Sequence, residues 1–222
     1  MATFILICLL VLWHYRKRMV YNPYDEKFSH SSYHEAAFGR KERCTEEVCR
    51  ILQETAGEKR LLRNCLLSGN GEEKTEAEVL LIHESGIYVI SSGNLEGAIR
   101  GNITGRYWIQ SFRDGWLFPC RNFFYNPFLQ NKRSLDVIQW SCRDMPGLPC
   151  YSLAVFGNRG YLETAGYMGD NRWAVPLQVL SVTVAQIMRH NRRFLRPAQI
   201  SLISERLTGD PAETDGRSVG RP

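Results

Sequence analysis

The run Thr75–Ser91, TEAEVLLIHESGIYVIS, decides the fold. Thr75–His83 is dominated by aliphatic residues, Ile87–Ser91 resumes the same character, and Glu84-Ser85-Gly86 lies between them. Two β-rich runs joined by a short glycine-containing loop predict a hairpin. Neither strand alternates polar with apolar. A nearly continuous apolar strand belongs in the middle of a sheet, covered on both faces. Within the first strand, Glu76 and Glu78 are two residues apart and share a face. Two solvated carboxylates are the plain reading of that pair. His83, at the turn, is expected to be half exposed.

Upstream, Cys44–Glu54 (CTEEVCRILQE) places Val48, Ile51 and Leu52 on one helical face, with Thr45 as a cap and Gly57 as a stop. Leu61–Leu67 is a short candidate strand, closed by Ser68-Gly69-Asn70-Gly71. Downstream, Gly93–Gly105 is a glycine-rich crossing with a short strand around Ala98–Arg100, and Arg106–Ser111 is a further strand. Trp108, Trp116, Phe118, Phe123, Phe124 and Tyr125 form an aromatic stretch beside Arg121. Packing of a long loop onto the sheet accounts for it, with a base-stacking platform as the sharper alternative. Asn126-Pro127 opens a helix over Phe128–Cys142, because proline at the first helical position loses no hydrogen bond. Tyr151–Phe156 is another buried strand, and a last helix runs from Pro176 to about His190. This order predicts an α/β fold, a mixed central sheet flanked by helices.

The ordered series TEAEVLLIHESGIYVISSGNLEGAIRGN, then YWIQ, then YNPFLQNKRSLDVI resembles the nuclease-related (NERD) domain. That resemblance implies a restriction-endonuclease-like core of the PD-(D/E)xK type, in which an Asp and a Glu hold Mg²⁺ and a Lys assists the attacking water. Carried over residue by residue, the Asp falls on Glu78, the Glu on Ser91 and the Lys on Gly93. Asn94, Gly97, Ile99, Gly101, Trp108, Gln110, Asn126, Pro127, Gln130 and Asn131 match the family pattern. The acidic residue of the first helix falls on Thr45 or Glu46 and is left unassigned. Two of the three chemical positions are lost, so the resemblance implies a degenerate site. The vestigial positions are Glu78, Ser91, Gly93 and Gln130, and Glu78 is the relic metal ligand. Mg²⁺, the cofactor implied, would not be held tightly, because it demands strict oxygen geometry.

Seven cysteines without a CxxC pair offer no zinc spacing. A net charge of +5 favours acidic partners only weakly. Lys132 and Arg133, at the start of the second helix, and Arg192 and Arg193, inside Arg189–Arg196, are the candidate nucleic-acid contacts for DNA or RNA. Ala2–Tyr15 is almost wholly apolar and is followed by Arg16, Lys17 and Arg18. Residues 1–18 are expected to anchor the chain in a membrane with the domain on the cytoplasmic side. The run is shorter than the ~20 residues of an ordinary span, and a soluble cytoplasmic chain is the alternative. Residues 19–36 are expected as a linker, 37–207 as the domain and 208–222 as a disordered tail. Function follows as a membrane-tethered module that binds nucleic acid, a nucleotide or a protein partner. The alternative is a metal-dependent nuclease that recruits Glu76, Glu84 or Glu96, with Lys74 or Arg100, in place of the lost groups.

Overall fold

The computed structural model describes residues 31–68, 74–113, 119–191 and 194–208. Its elements are α1 (Ser31–Gln53), β1 (Lys59–Ser68), β2 (Lys74–His83), β3 (Gly86–Gly93), β4 (Gly97–Arg100), β5 (Tyr107–Arg113) and β6 (Pro119–Tyr125). They continue as α2 (Pro127–Ser141), β7 (Cys150–Phe156), β8 (Gly160–Leu162), β9 (Gly166–Gly169) and β10 (Arg172–Pro176). A 3₁₀ turn (Leu177–Val179), α3 (Leu180–His190) and α4 (Pro197–Thr208) complete the fold.

The strands make two mixed sheets. The larger runs β1-β2-β3-β7-β10-β9, and the smaller runs β6-β5-β4-β8. In the larger sheet β1, β2 and β3 are antiparallel neighbours, while β7 lies parallel to both β3 and β10. The expected hairpin is present, and its strands lie inside the sheet. His83 pairs with Gly86, so the loop is only Glu84-Ser85 and Gly86 already belongs to β3. Gly86 has φ +137°, and a Cβ there would collide with the Pro149 carbonyl oxygen.

Both faces of the larger sheet are covered, as the apolar strands require. On one face, Val48 and Leu52 of α1 and Leu180, Val184 and Ile187 of α3 pack over Val79, Leu81, Tyr88 and Ile90. On the other, Ile138 of α2 and Ile200, Ile203 and Leu207 of α4 pack over Leu80, Ile82, Ile87 and Val89. The two-residue period of β2 and β3 sends alternate side chains to opposite helical layers. Each fully buried aliphatic side chain contributes about 1.5–3 kcal/mol. A third cluster, built on Trp108, Phe128 and Phe156, joins the smaller sheet to α2 and β7.

Several expectations are corrected. The first helix begins at Ser31, not at Cys44, so part of the expected 19–36 linker is helical. The stretch HEAAFGRKER lacks an apolar period but is rich in helix formers, so propensity and not periodicity is the signal there. Thr45 is therefore inside the helix and caps nothing. Residues 119–125 of the aromatic stretch form β6, while Trp116 and Phe118 lie outside the described residues. Trp108 packs, being 1% exposed. His83 is 3% exposed, not half exposed. Its Nδ1 and Nε2 lie 2.8 Å from Ser85 Oγ and 2.9 Å from the Ala56 carbonyl oxygen, because the segment after α1 folds over the strand end. The short strands β8–β10 and the helix α4 are additions. Among the described residues no helix is long and apolar enough to cross a membrane. The expected anchor, residues 1–18, and the tail beyond Thr208 lie outside the described residues.

Candidate functional site

Glu78 stands where β2 and β3 part. Their pairing ends at Val79 with Ile90, and beyond it the Glu78 side chain turns into the fork. The expectation of a solvated carboxylate fails, since Glu78 is 8% exposed. Glu76, on the same strand, is exposed. A buried carboxylate must be hydrogen-bonded or paired. Glu78 is both. Its Oε1 accepts from Thr45 Oγ1 at 3.0 Å, from the Ser92 backbone N–H at 3.1 Å and from Ser92 Oγ. Thr45 and Ser92 hydroxyls are themselves 2.7 Å apart. Glu78 Oε2 makes no aligned hydrogen bond but lies 3.0 Å from the Lys41 ammonium. Lys41 and Thr45 are one helical turn apart on α1, so that helix lays both over the carboxylate.

Nearby, the Cys44 thiol donates to the Gly93 carbonyl at 3.7 Å. Burial, and next the Glu78 carboxylate, push that thiol up to about 11. The cleft above Glu78 measures about 240 Å³ and is lined by Lys41, Thr45, Arg63, Glu76, Glu78 and Gln130, among others. Arg63 is engaged with Glu42 at 3.1 Å and Glu46 at 3.7 Å. By register Asn64, in the left-handed region at φ 48°, stands opposite Glu78.

Ser91 is turned away from Glu78. Its hydroxyl donates to Asn131 Oδ1 at 2.6 Å, and Asn131 Nδ2 donates to the carbonyls of Val89 (3.2 Å) and Leu153 (3.1 Å) and to Ser152 Oγ (3.0 Å). Gly93 has room for a side chain, since a Cβ would meet Phe156 at 3.5 Å, an ordinary contact. Asn126 caps α2 through Phe128 N–H at 2.9 Å, while its amide holds the carbonyls of Asn102 and Gly105. The Trp108 indole N–H donates to the Asn102 carbonyl at 2.9 Å, and Gly101 leaves the space its ring fills. Gln110 Nε2 ties the Glu96 carbonyl at 2.9 Å.

The profile of the nuclease-related domain matches residues 39–157. The chain belongs to the nuclease-related domain family. An uncharacterized protein of Bacillus anthracis is 30% identical over 96 residues, which are 43% of this chain and 42% of that protein. The chain thus spans less than half the length of that relative. No solved structure matches it significantly. The mixed α/β architecture agrees with the restriction-endonuclease-like core that the family implies.

Within this NERD domain, the matching motif residues hold the scaffold. Trp108, Gln110, Asn126 and Asn131 are all buried, and each fastens one segment to another. The chemical positions do not assemble a metal site. Glu78 Oε1 is saturated by three donors, and Oε2 faces a cation already present. Ser91 points to Asn131, and among the described residues no three His, Cys, Asp or Glu side chains group as metal ligands. These residues do not fit Mg²⁺, which takes near-octahedral oxygen ligation at about 2.1 Å. Most of the relocated candidates are engaged or placed elsewhere. Glu84 lines a separate cleft at the far end of β2, Glu96 pairs with Arg159 at 2.7 Å, and Arg100 lies 3.8 Å from Glu163. Glu76 shares the Glu78 cleft but is exposed.

Of the basic candidates, Lys132 is exposed and held by Asp136 at 2.6 Å, and Arg133 lies 6.0 Å from the Tyr125 ring. Arg192 and Arg193 lie outside the described residues. Sequence reasoning missed Lys41 and Ser92. Lys41 precedes the apolar period that marked the helix start. Its spacing of four from Thr45, the gapless position of the family's helical acid, is the signal that would have found it.

Proposed function

We propose that this NERD domain is a binding module for nucleic acid with a degenerate nuclease site, and that it does not turn over phosphodiesters. The observation that carries this reading is the hydrogen-bonded, ion-paired Glu78 carboxylate, which leaves neither of its own oxygens open to a divalent ion. Mg²⁺-dependent hydrolysis needs an ion that polarises the phosphate and generates the attacking hydroxide. The motif positions offer neither a second ligating carboxylate at Ser91 nor a lysine at Gly93, and Glu76, the other β2 carboxylate lining the cleft, is exposed. The cleft retains Gln130 at the start of α2 and the cations of Lys41 and Arg63, with Lys132 and Arg133 following on the same helix. Phosphate contacts through such side chains position a strand without chemistry. Tethering of residues 1–18 to a membrane is part of the same proposal, and carbonate extraction of membranes from cells expressing the chain would test it.

The test of function is cleavage and retention of plasmid and single-stranded DNA or RNA by the full chain, with Mg²⁺ or Mn²⁺, beside a Glu78→Ala control. Binding without cleavage, weakening steeply from 50 to 200 mM salt, supports the module. Robust cleavage abolished by Glu78→Ala would overturn it and restore a metal-dependent nuclease.

A further inference from the structure

We propose that the Lys41 ammonium is the resident cation of the Glu78 cleft, excluding divalent metal from the carboxylate. The inference deepens the binding-module reading and rests on it for one consequence: phosphate recognition in the cleft is independent of divalent ions.

The asymmetry of Glu78 carries the argument. One oxygen is fixed by Thr45 and by two groups of Ser92, while the other has no aligned hydrogen bond and is buried. An ionised carboxylate that is 8% exposed needs a compensating charge at its open oxygen. Lys41 supplies it at 3.0 Å. The second cation lining the cleft, Arg63, is committed to Glu42 and Glu46, so it does not serve Glu78. Lys41 is also held in register, because Thr45 Oγ1 contacts both the Lys41 carbonyl at 3.1 Å and the carboxylate. One stretch of α1 thereby delivers a hydroxyl to one oxygen and an ammonium to the other. The Oε2 lone pairs that a metal ion would require face an ammonium, and two cations at that distance exclude each other.

Lys41 remains 47% exposed, so its three N–H donors are not exhausted by Glu78. A phosphate oxygen can approach from solvent and meet the ammonium directly. A divalent ion would otherwise bridge carboxylate and phosphate; here the lysine does so.

The experiment measures Mn²⁺ uptake by the full chain by electron paramagnetic resonance, in wild type, Lys41→Met, Lys41→Glu and Lys41→Arg, each with and without Glu78→Gln. Wild type and Lys41→Arg are expected to show no Glu78-dependent uptake. Lys41→Met should bind Mn²⁺ through Glu78 at least about tenfold more tightly than wild type, and Lys41→Glu more tightly still. Circular dichroism checks that the variants fold, and Lys41→Glu reports on the site if Lys41→Met does not fold. Equal Glu78-dependent uptake by wild type and Lys41→Met would overturn the inference. So would the absence of uptake in both Lys41→Met and Lys41→Glu. A parallel arm compares retention of a labelled oligonucleotide in EDTA and in Mg²⁺. Wild type should bind equally in both, and Lys41→Met should need Mg²⁺. A wild type that binds only with Mg²⁺ overturns the proposed independence. A wild type that binds no oligonucleotide defeats the binding-module reading, while metal exclusion is still judged on Mn²⁺ alone.

Discussion

Replacing Asn131 by Asp changes one group in a buried side chain with four hydrogen-bond partners. Asn131 is 2% exposed, and its amide nitrogen donates to Val89 O, Leu153 O and Ser152 Oγ at 3.0–3.2 Å. Aspartate keeps the shape but turns these donors into an acceptor facing two carbonyl oxygens. Its two N–H groups, shared among three acceptors, are worth about 2 kcal/mol together, and a poorly paired buried charge adds roughly 1–3 kcal/mol, for about 3–5 kcal/mol at neutral pH. Ser91 and Ser152 can donate to the new carboxylate, which favours the lower end. The pH dependence follows from the same contacts. Once protonated, the introduced carboxyl regains one donor, so its folded-state pKa lies above the unfolded value. Stability should then recover as the pH falls through the raised folded-state pKa, and be lost as it rises again. Urea unfolding followed by tryptophan fluorescence between pH 5 and 8, against wild type, measures both effects. A loss under 2 kcal/mol at pH 7.5, or a loss that does not shrink toward pH 5, would refute the role of Asn131 as a bolt between β3, β7 and α2.

Gly101→Ala drives a methyl into the Trp108 indole, a ring stacked at 18° on Phe156 with centroids 5.8 Å apart, and should cost about 1–3 kcal/mol or more by thermal unfolding. Gly93→Lys should fold with a melting temperature near wild type, because its Cβ meets only ordinary contacts, and should yield no Mg²⁺-dependent cleavage of plasmid DNA. Burial raises the thiols of Cys44 and Cys65 from 9.0 to about 11, and that of Cys150 to about 12. These thiols stay protonated longer in the folded chain than in the unfolded one. Stability that is full below pH 9 should therefore fall as the pH climbs from 9 toward 12, which unfolding at stepped alkaline pH will read.

Hairpin and flanking helices were legible because Val79–Ile82 of β2 and Ile87–Ile90 of β3 are continuously apolar and are joined by a short glycine-containing turn. The departures from the family pattern at Ser91 and Gly93 are equally plain, since they stand in the sequence itself. The Lys41–Glu78 ion pair was not legible. Lys41 and Glu78 are far apart in sequence, and their meeting depends on how α1 is rotated over the sheet, which a polar helical turn does not reveal. Glu76 and Glu78 both read as solvated because glutamate ordinarily is, yet the fork between β2 and β3 buries one and leaves the other exposed. The strands β8 to β10, of three to five residues, are too short for a two-residue period to register. Helix α4 carries a usable period in Ile200, Ile203 and Leu207, but the basic run before it reads as the end of the last helix.

The parallel seam between β3 and β7 also governs how the chain comes off the ribosome. Ile87 pairs with Cys150, so the middle of the larger sheet closes only after some 60 intervening residues have been made. Until then β3 presents a bare, apolar edge of the kind that chaperones hold and that aggregation exploits. The seam is also not the end of assembly. β10 pairs with β7 beyond residue 157, and Leu180, Val184 and Ile187 roof one face. A fragment cut at the limits of the family match would expose the β7 edge and strip that roof. Such a fragment should be recovered mainly as inclusion bodies, although every recognisable motif lies within it.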